Sequence, residues 1–341
     1  MISLALVLLT YPETTHADSL TGRLGFSPTS KIVIIHADDM GLVHSANQAS
    51  IDTMAYGLIR SGSVMMPCGS TQEVSDYFKK NPQADIGVHT TLTSEWDHYR
   101  WGPLSPPLSV RSLVDYDHFF YDDILPLVFN AQGEDTEQEL EAQVQAALNL
   151  GIHPTHLDTH MGAVFVKEDL FYAYLRVALK YHLPPMFPKW TQDLKEQYGL
   201  ISGVLDILGA DKMLAHAEKL GFLPVDHLIL PLEESSFEKR KLIYENILRN
   251  LKNGVTLIIT HPAYADGEFK EKIISSDENT IVRDYDAEIF QDRDTNGNPL
   301  PVKTMKNLVE SLDIHLIGWK EIQKIYPWDK IRTHAWPHLA D

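Results

Sequence analysis

Two observations predict a single α/β domain, a distorted parallel β/α barrel of the TIM type. From residue 31 onward, short β-rich runs alternate with longer segments of helical periodicity, about eight times over. No linker, internal repeat or low-complexity tract divides the chain. Strand–helix alternation implies right-handed crossovers and a parallel sheet. About eight such units favour a closed or nearly closed barrel over an open sheet. The composition permits this: 341 residues, 44% hydrophobic and 22% charged, enough for a sizeable soluble core.

Taken in order, strands are expected at 31–37, 62–66, 85–91, 154–159, 183–187, 226–231, 255–261 and 313–318. Helical patterns lie around 45–59, 71–80, 134–150, 167–181, 209–220, 235–252, 303–312 and 319–325. Pro184 and Pro185 weaken the fifth strand, because proline donates nothing to a ladder. Residues 1–30 read as an N-terminal leader or flexible tail, 31–325 as the barrel and 326–341 as a C-terminal tail. The apolar run 2–9 is too short to span a bilayer. Thr15-His16-Ala17 resembles a small-residue cleavage site, which tilts the expectation towards export even though no basic n-region precedes it.

Lys and Arg total 29 against 47 Asp and Glu, a formal net charge of −18. That field opposes phosphate backbones and anionic lipids, so neither nucleic acid nor a membrane surface is an expected partner. A homodimer is left open. Cys68 is the sole cysteine, which excludes an internal disulfide and any multi-cysteine metal site; after Val64-Met65-Met66-Pro67 it reads as a packed core residue.

Polar clusters stand at four expected strand ends: Asp38-Asp39, His89, the run Thr155–His160, and Thr260-His261-Pro262. The C-terminal strand ends of a parallel barrel converge on one mouth, so these clusters can share a site. Adjacent carboxylates are costly to desolvate unless a cation or donors hold them. Residues 156, 158 and 160 share one face of an extended strand, with His156 and His160 about 13 Å apart at roughly 3.3 Å per residue. The two can hardly ligate one ion, so the mouth-side His160 is the better ligand. His156 and Asp158 then read as inner hydrogen-bond partners that orient it. A His/His/carboxylate set suits a catalytic divalent ion. One aspartate can ligate while the other stays free, because adjacent strand residues point in different directions. His261 has the chemistry of a general acid.

These motifs resemble the YdjC-like (ChbG-type) carbohydrate deacetylases. The likeness rests on His-Ala-Asp-Asp-Met-Gly at 36–41 with His44-Ser-Ala-Asn47, on Gly87-Val-His89, on Pro154–His160 and on Gly254–Pro262, and it covers most of residues 31–290. It implies a distorted barrel that removes N-acetyl groups from amino sugars or chitooligosaccharides. By motif, Asp39, His89 and His160 would be ligands of one divalent ion, Zn²⁺ or Mg²⁺ with Mn²⁺ or Co²⁺ as alternatives. Asp38 would be the base and His261 the acid. Three departures touch substrate shape: Met161-Gly-Ala follows His160 where relatives carry histidines, Ala263 replaces a glycine, and Met186–Trp190 stands where an arginine is expected.

The insertion 94–123 is rich in proline and aromatics, which suit either amphipathic sugar rings or a small core of its own. Trp96 and Trp101 are the choices for substrate contact. Asp292–Gly297 mimics the start of an EF-hand loop, but Lys303 stands where the bidentate Glu is needed, so it reads as a surface turn. Two other readings compete with the deacetylase: a metallophosphoesterase, which needs cationic groups absent from the core motifs, and a non-catalytic carbohydrate-binding protein.

Overall fold

The computed structural model describes residues 16–332, apart from 232–233, 235, 266, 274–276, 294–297 and 301–303. Among the described residues, seven parallel strands form one curled sheet: β1 Lys31–Met40, β2 Ser61–Val64, β3 Ile86–Thr90, β4 Leu157–Thr159, β5 His227–Ile229, β6 Gly254–Thr260 and β7 Ile314–Leu316. The order is β4-β3-β2-β1-β6-β5, with β7 pairing β1. The lower part of β1, Lys31 to Val33, takes β7, and its upper part, His36 to Met40, takes β2. Helices pack around this sheet, and among the described residues none is long and apolar enough to cross a membrane.

Ile32 to Ile35 are all fully buried because β1 has a core on both faces. Ile32 and Ile34 join Leu257 and Ile259 inside the curl. Val33, Ile35 and Ile258 face outward, packed with Tyr244, Leu248, Phe290 and Leu308. This parity, period two along each strand, decides which residues look into the barrel.

The fifth expected strand is corrected. Residues 183–187 form no strand; two isolated bridges, Leu157 to Pro185 and Pro188 to Val225, carry the ring from β4 towards β5. Met186 N donates to Leu157 O (2.7 Å) and Val225 N to Phe187 O (3.0 Å), but the prolines at 184, 185 and 188 leave no continuous ladder. The curl is therefore regular on one side and seamed on the other.

Part of the expected leader packs on the barrel, since Leu20–Arg23 is helical with Leu20 buried; residues 1–15 lie outside the described residues. Tyr326 is buried and its hydroxyl accepts from Leu223 N, so the tail is anchored at its start, while 333–341 lie outside the described residues. Most of the EF-hand-like turn, 294–297, and Lys303 also fall outside them.

The insertion after β3 is held by the helix Gly133–Asn149: Glu139 accepts from Leu104 N and Ser105 N, and Asp135 from Ser112 N. Trp101 and Phe120 are buried beneath it, a small core of its own.

Candidate functional site

Strand parity sends His36 and Asp38 into the barrel and would send Asp39 out. It does not, because Asp39 adopts a left-handed backbone (φ 65°) and the β1–β2 register shifts between Ala37 and Met40. A left-handed non-glycine residue costs about 1–2 kcal/mol, less for Asp than for most. The kink brings both carboxylates to one mouth. Gly41 (φ 85°) completes the turn, where a Cβ would meet Val64 at 2.9 Å and Thr71 at 3.0 Å. Asn47 pins it, accepting from Gly41 N (2.6 Å) and donating to Ser70 O (2.9 Å).

The structure brings Asp39, His89 and His160 together. His89 Nε2 lies 3.5 Å from Asp39 Oδ1, His160 Nδ1 lies 3.4 Å from the same oxygen, and the two nitrogens are 3.3 Å apart. Each ring has a carboxylate at its far nitrogen: Asp158 Oδ1 at 2.8 Å from His89 Nδ1, and both oxygens of Glu95 at 3.0 Å from His160 Nε2. An imidazole that donates from one nitrogen turns a bare lone pair to the other side. Asp39 Oδ2 accepts from Arg283 Nη1 at 2.7 Å, while the buried Oδ1 has no hydrogen-bond partner. When the two rings are neutral, three lone pairs converge on one point, a donor set that fits a cation.

The charge balance agrees. Burial opposes charge on His89, but Asp158 and Asp38 outweigh it and hold the ring well above the usual histidine range. Burial is likewise outweighed at His160, chiefly by Glu95, which pushes it up to about 9. Asp39 is held well below the usual carboxylate range, because Arg283 and the two histidines outweigh its burial. The cluster draws protons, and a divalent cation competes for the same sites.

Asp38 stands beside this triangle. Its Oδ2 is 3.8 Å from His89 Nε2, and its buried Oδ1 has no hydrogen-bond partner. Burial raises its carboxyl to about 7, against the pull of His89. His261 Nε2 lies 3.9 Å from Asp38 Oδ2, at the open side, with the side chain 41% exposed. Desolvation of its inner edge, with Arg283, His89 and His160 nearby, pushes His261 down against the pull of Asp39; its exposure moderates the shift.

Asp158 holds three groups: His89, His36 Nε2 at 2.9 Å and Ser63 Oγ at 2.6 Å. His156 departs from the expectation. Its Nε2 is 4.0 Å from Asp158, outside hydrogen-bond range, and its ring stacks on Trp319 below the site, so it is a packed core residue. Trp96 lines the cavity under Arg283, which lies 5.7 Å from its ring centre. Trp101 is corrected: it is 4% exposed, donates to Thr93 O and packs its edge towards His160, away from the cavity.

Four features escaped the sequence. Glu95 sits six residues after His89 in an insertion with no spacing pattern. Arg283 comes from the helix Asp277–Phe290, whose periodicity was not expected, and so does Asp286, paired with the buried Arg240 at 2.9 Å. His36 lay in plain view as the inward residue two before Asp38. No arginine stands near the expected fifth strand; the arginines that line the cavity, Arg240 and Arg283, come from helices.

A sequence profile of the family described as YdjC-like protein matches residues 32–296. A protein described as carbohydrate deacetylase from Thermus thermophilus is 40% identical over 175 residues, which cover 51% of this chain and 60% of that protein. One of the same description from Thermoanaerobacter pseudethanolicus is 28% identical over 264 residues, covering 77% of this chain and 92% of its own. A solved structure from Enterococcus faecalis, whose description names cellobiose-phosphate cleavage, superposes with a TM-score of 0.67 at 21% identity, covering 86% of this chain and 99% of that one. At that identity the likeness concerns the fold, and the shared fold is the curled parallel sheet described above.

Proposed function

This chain belongs to the YdjC-like family, and from that premise and the site geometry we propose that it is a metal-dependent carbohydrate deacetylase acting on N-acetylated amino sugars or their oligomers. The observation that carries the reading is the triangle of Asp39, His89 and His160 with a second carboxylate beside it, Asp38, ringed by His36, His89 and His261 at 3.4–3.9 Å. Two imidazole nitrogens and one carboxylate oxygen within 3.3–3.5 Å of one another would hold a divalent ion, and a nitrogen-rich ligand set favours Zn²⁺ over Mg²⁺.

When bound, the ion supplies Lewis-acid polarisation and a more acidic water. The rest is work for the chain's own residues. Asp38, raised to about 7 before any cation lowers it, accepts a proton from the attacking water. Asp158 and Glu95 fix the orientation of His89 and His160, and Arg283 holds the outer oxygen of Asp39. His261, whose Nε2 lies 3.9 Å from Asp38 Oδ2, relays to the departing nitrogen the proton that Asp38 took from the water, acting as the general acid. Trp96 offers a ring face to the sugar at the mouth. Water's oxygen leaves in acetate, and the amino sugar keeps the nitrogen.

A phosphoesterase would need cations aimed at the substrate, but Arg283 and Arg240 are engaged by Asp39 and Asp286. Incubation with N-acetylglucosamine and chitooligosaccharides should release acetate, and chelation should stop it until a divalent ion is restored. Phosphate release from sugar phosphates with no acetate release would reject the reading.

A further inference from the structure

The site opens into a cavity of about 440 Å³ lined by residues of two kinds. Asp38, Asp39, His89, Glu95, His160 and His261 are polar. Phe165, Met186, Leu228, Leu230, Ile259 and Val282 form an apolar lining, and all of these but Leu230 are buried in the protein. The apolar lining continues below the mouth: Leu228 is in register with Leu257, four residues before His261 and about 13 Å away along the chain at roughly 3.3 Å per residue. The polar pair in this lining, Arg240 and Asp286, is engaged with itself and with Tyr244 (2.9, 3.0 and 2.7 Å).

Sugar hydroxyls buried against such a lining would lose their water partners without replacement. The reacting carbonyl must lie between Asp38 and the Asp39–His89–His160 triangle. It carries two substituents, the nitrogen bearing the sugar and the acyl chain. The acyl chain is the apolar one, and Trp96 and the open mouth remain for the sugar. An acetyl methyl reaches only the top of the chamber, and the seam below would stay unfilled.

Resting on the deacetylase reading, we propose that this site takes N-acyl amino sugars with acyl chains longer than acetyl, seated in the chamber of Leu228, Ile259, Met186 and Phe165. The step is the same hydrolysis: water adds to the amide carbon, the C–N bond breaks, the fatty acid leaves with the water's oxygen, and the nitrogen takes a proton to leave as free amine. Each methylene buried in the chamber should raise kcat/KM roughly fourfold until the chamber is full.

The test is a chain-length series on the metal-loaded protein: N-acetyl-, N-butanoyl-, N-hexanoyl- and N-octanoylglucosamine, with carboxylic acid release measured for each. The inference predicts butanoyl over acetyl by about fifteenfold and a further gain at hexanoyl. It is overturned if acetyl is best and longer chains fall away, which leaves the deacetylase reading intact. No release from any member overturns both. Leu228→Phe, which shortens the chamber, should cut the hexanoyl-to-acetyl ratio at least several-fold, and an unchanged ratio counts against the assignment. If that variant does not fold, Leu230→Phe is measured in the same way.

Discussion

The two sides of the barrel are built by different means. On one side β3, β2, β1 and β6 pair continuously, and they deliver His89, Asp38, Asp39 and His261 to the mouth. On the other, β4 meets β5 through a proline-broken segment with single bridges and a handful of backbone bonds. The chemistry sits on the laddered side, and the apolar chamber lies between β6 and the seam, with Ile259 from β6, Leu228 from β5 and Met186 from the seam itself. A ladder fixes strand ends to within a few tenths of an ångström, which is what groups sharing one cation or one proton require. A seam that leaves ladder positions empty leaves room for a ligand.

The division can be broken most sharply at Asp38. Asp38→Asn keeps the shape of the laddered side and all three candidate ligands, so ion affinity measured by calorimetry should stay within a few-fold. Turnover should fall by roughly 10²–10⁴. If ion binding is lost instead, Asp38 belongs to the triangle and the roles of the pair are reversed.

Removing the positioning carboxylate gives a smaller effect. Glu95→Gln leaves His160 in place but weakens the acceptor at its Nε2, so ion affinity should drop by about 10–100-fold with thermal stability of the ion-free protein little changed. Equal affinity in both proteins would mean that Glu95 is merely a neighbour. Glu95 lies at the root of the insertion, so this variant also asks whether the laddered side depends on a loop.

The subtlest expectation concerns exchange. Amides of Ile34 and Ile35 within β1 should exchange only by global opening, whereas Met186 and Val225 at the seam should exchange on the order of tenfold faster through local opening. Uniform protection would show that the two sides are equally rigid and that the chamber owes its volume to side chains alone.

Hydropathy and turn residues made most of the strand and helix positions legible, because period two and period 3.6 are local properties. The same parity put His156, Asp158 and His160 on one strand face, while His36, two residues before Asp38, went unread. The seam was half legible: Pro184 and Pro185 flagged a weak strand, but nothing local said how β4 and β5 would be joined. The helix Asp277–Phe290, which carries Arg283 and Asp286, went unread, since its apolar positions form only a weak stripe.

That Asp38, Asp39, His89, His160 and His261 meet at one mouth was thus determined by the sequence alone. They are polar residues at the ends of buried strands, and a parallel barrel has only one mouth for them to meet in. Tertiary structure alone decided the rest. The left-handed turn at Asp39 overrides strand parity, and the contacts of Glu95 with His160 and of Arg283 with Asp39 span 65 and 244 residues. Contacts at those separations obey no spacing rule, because they depend on where whole elements pack and not on the period of any one of them.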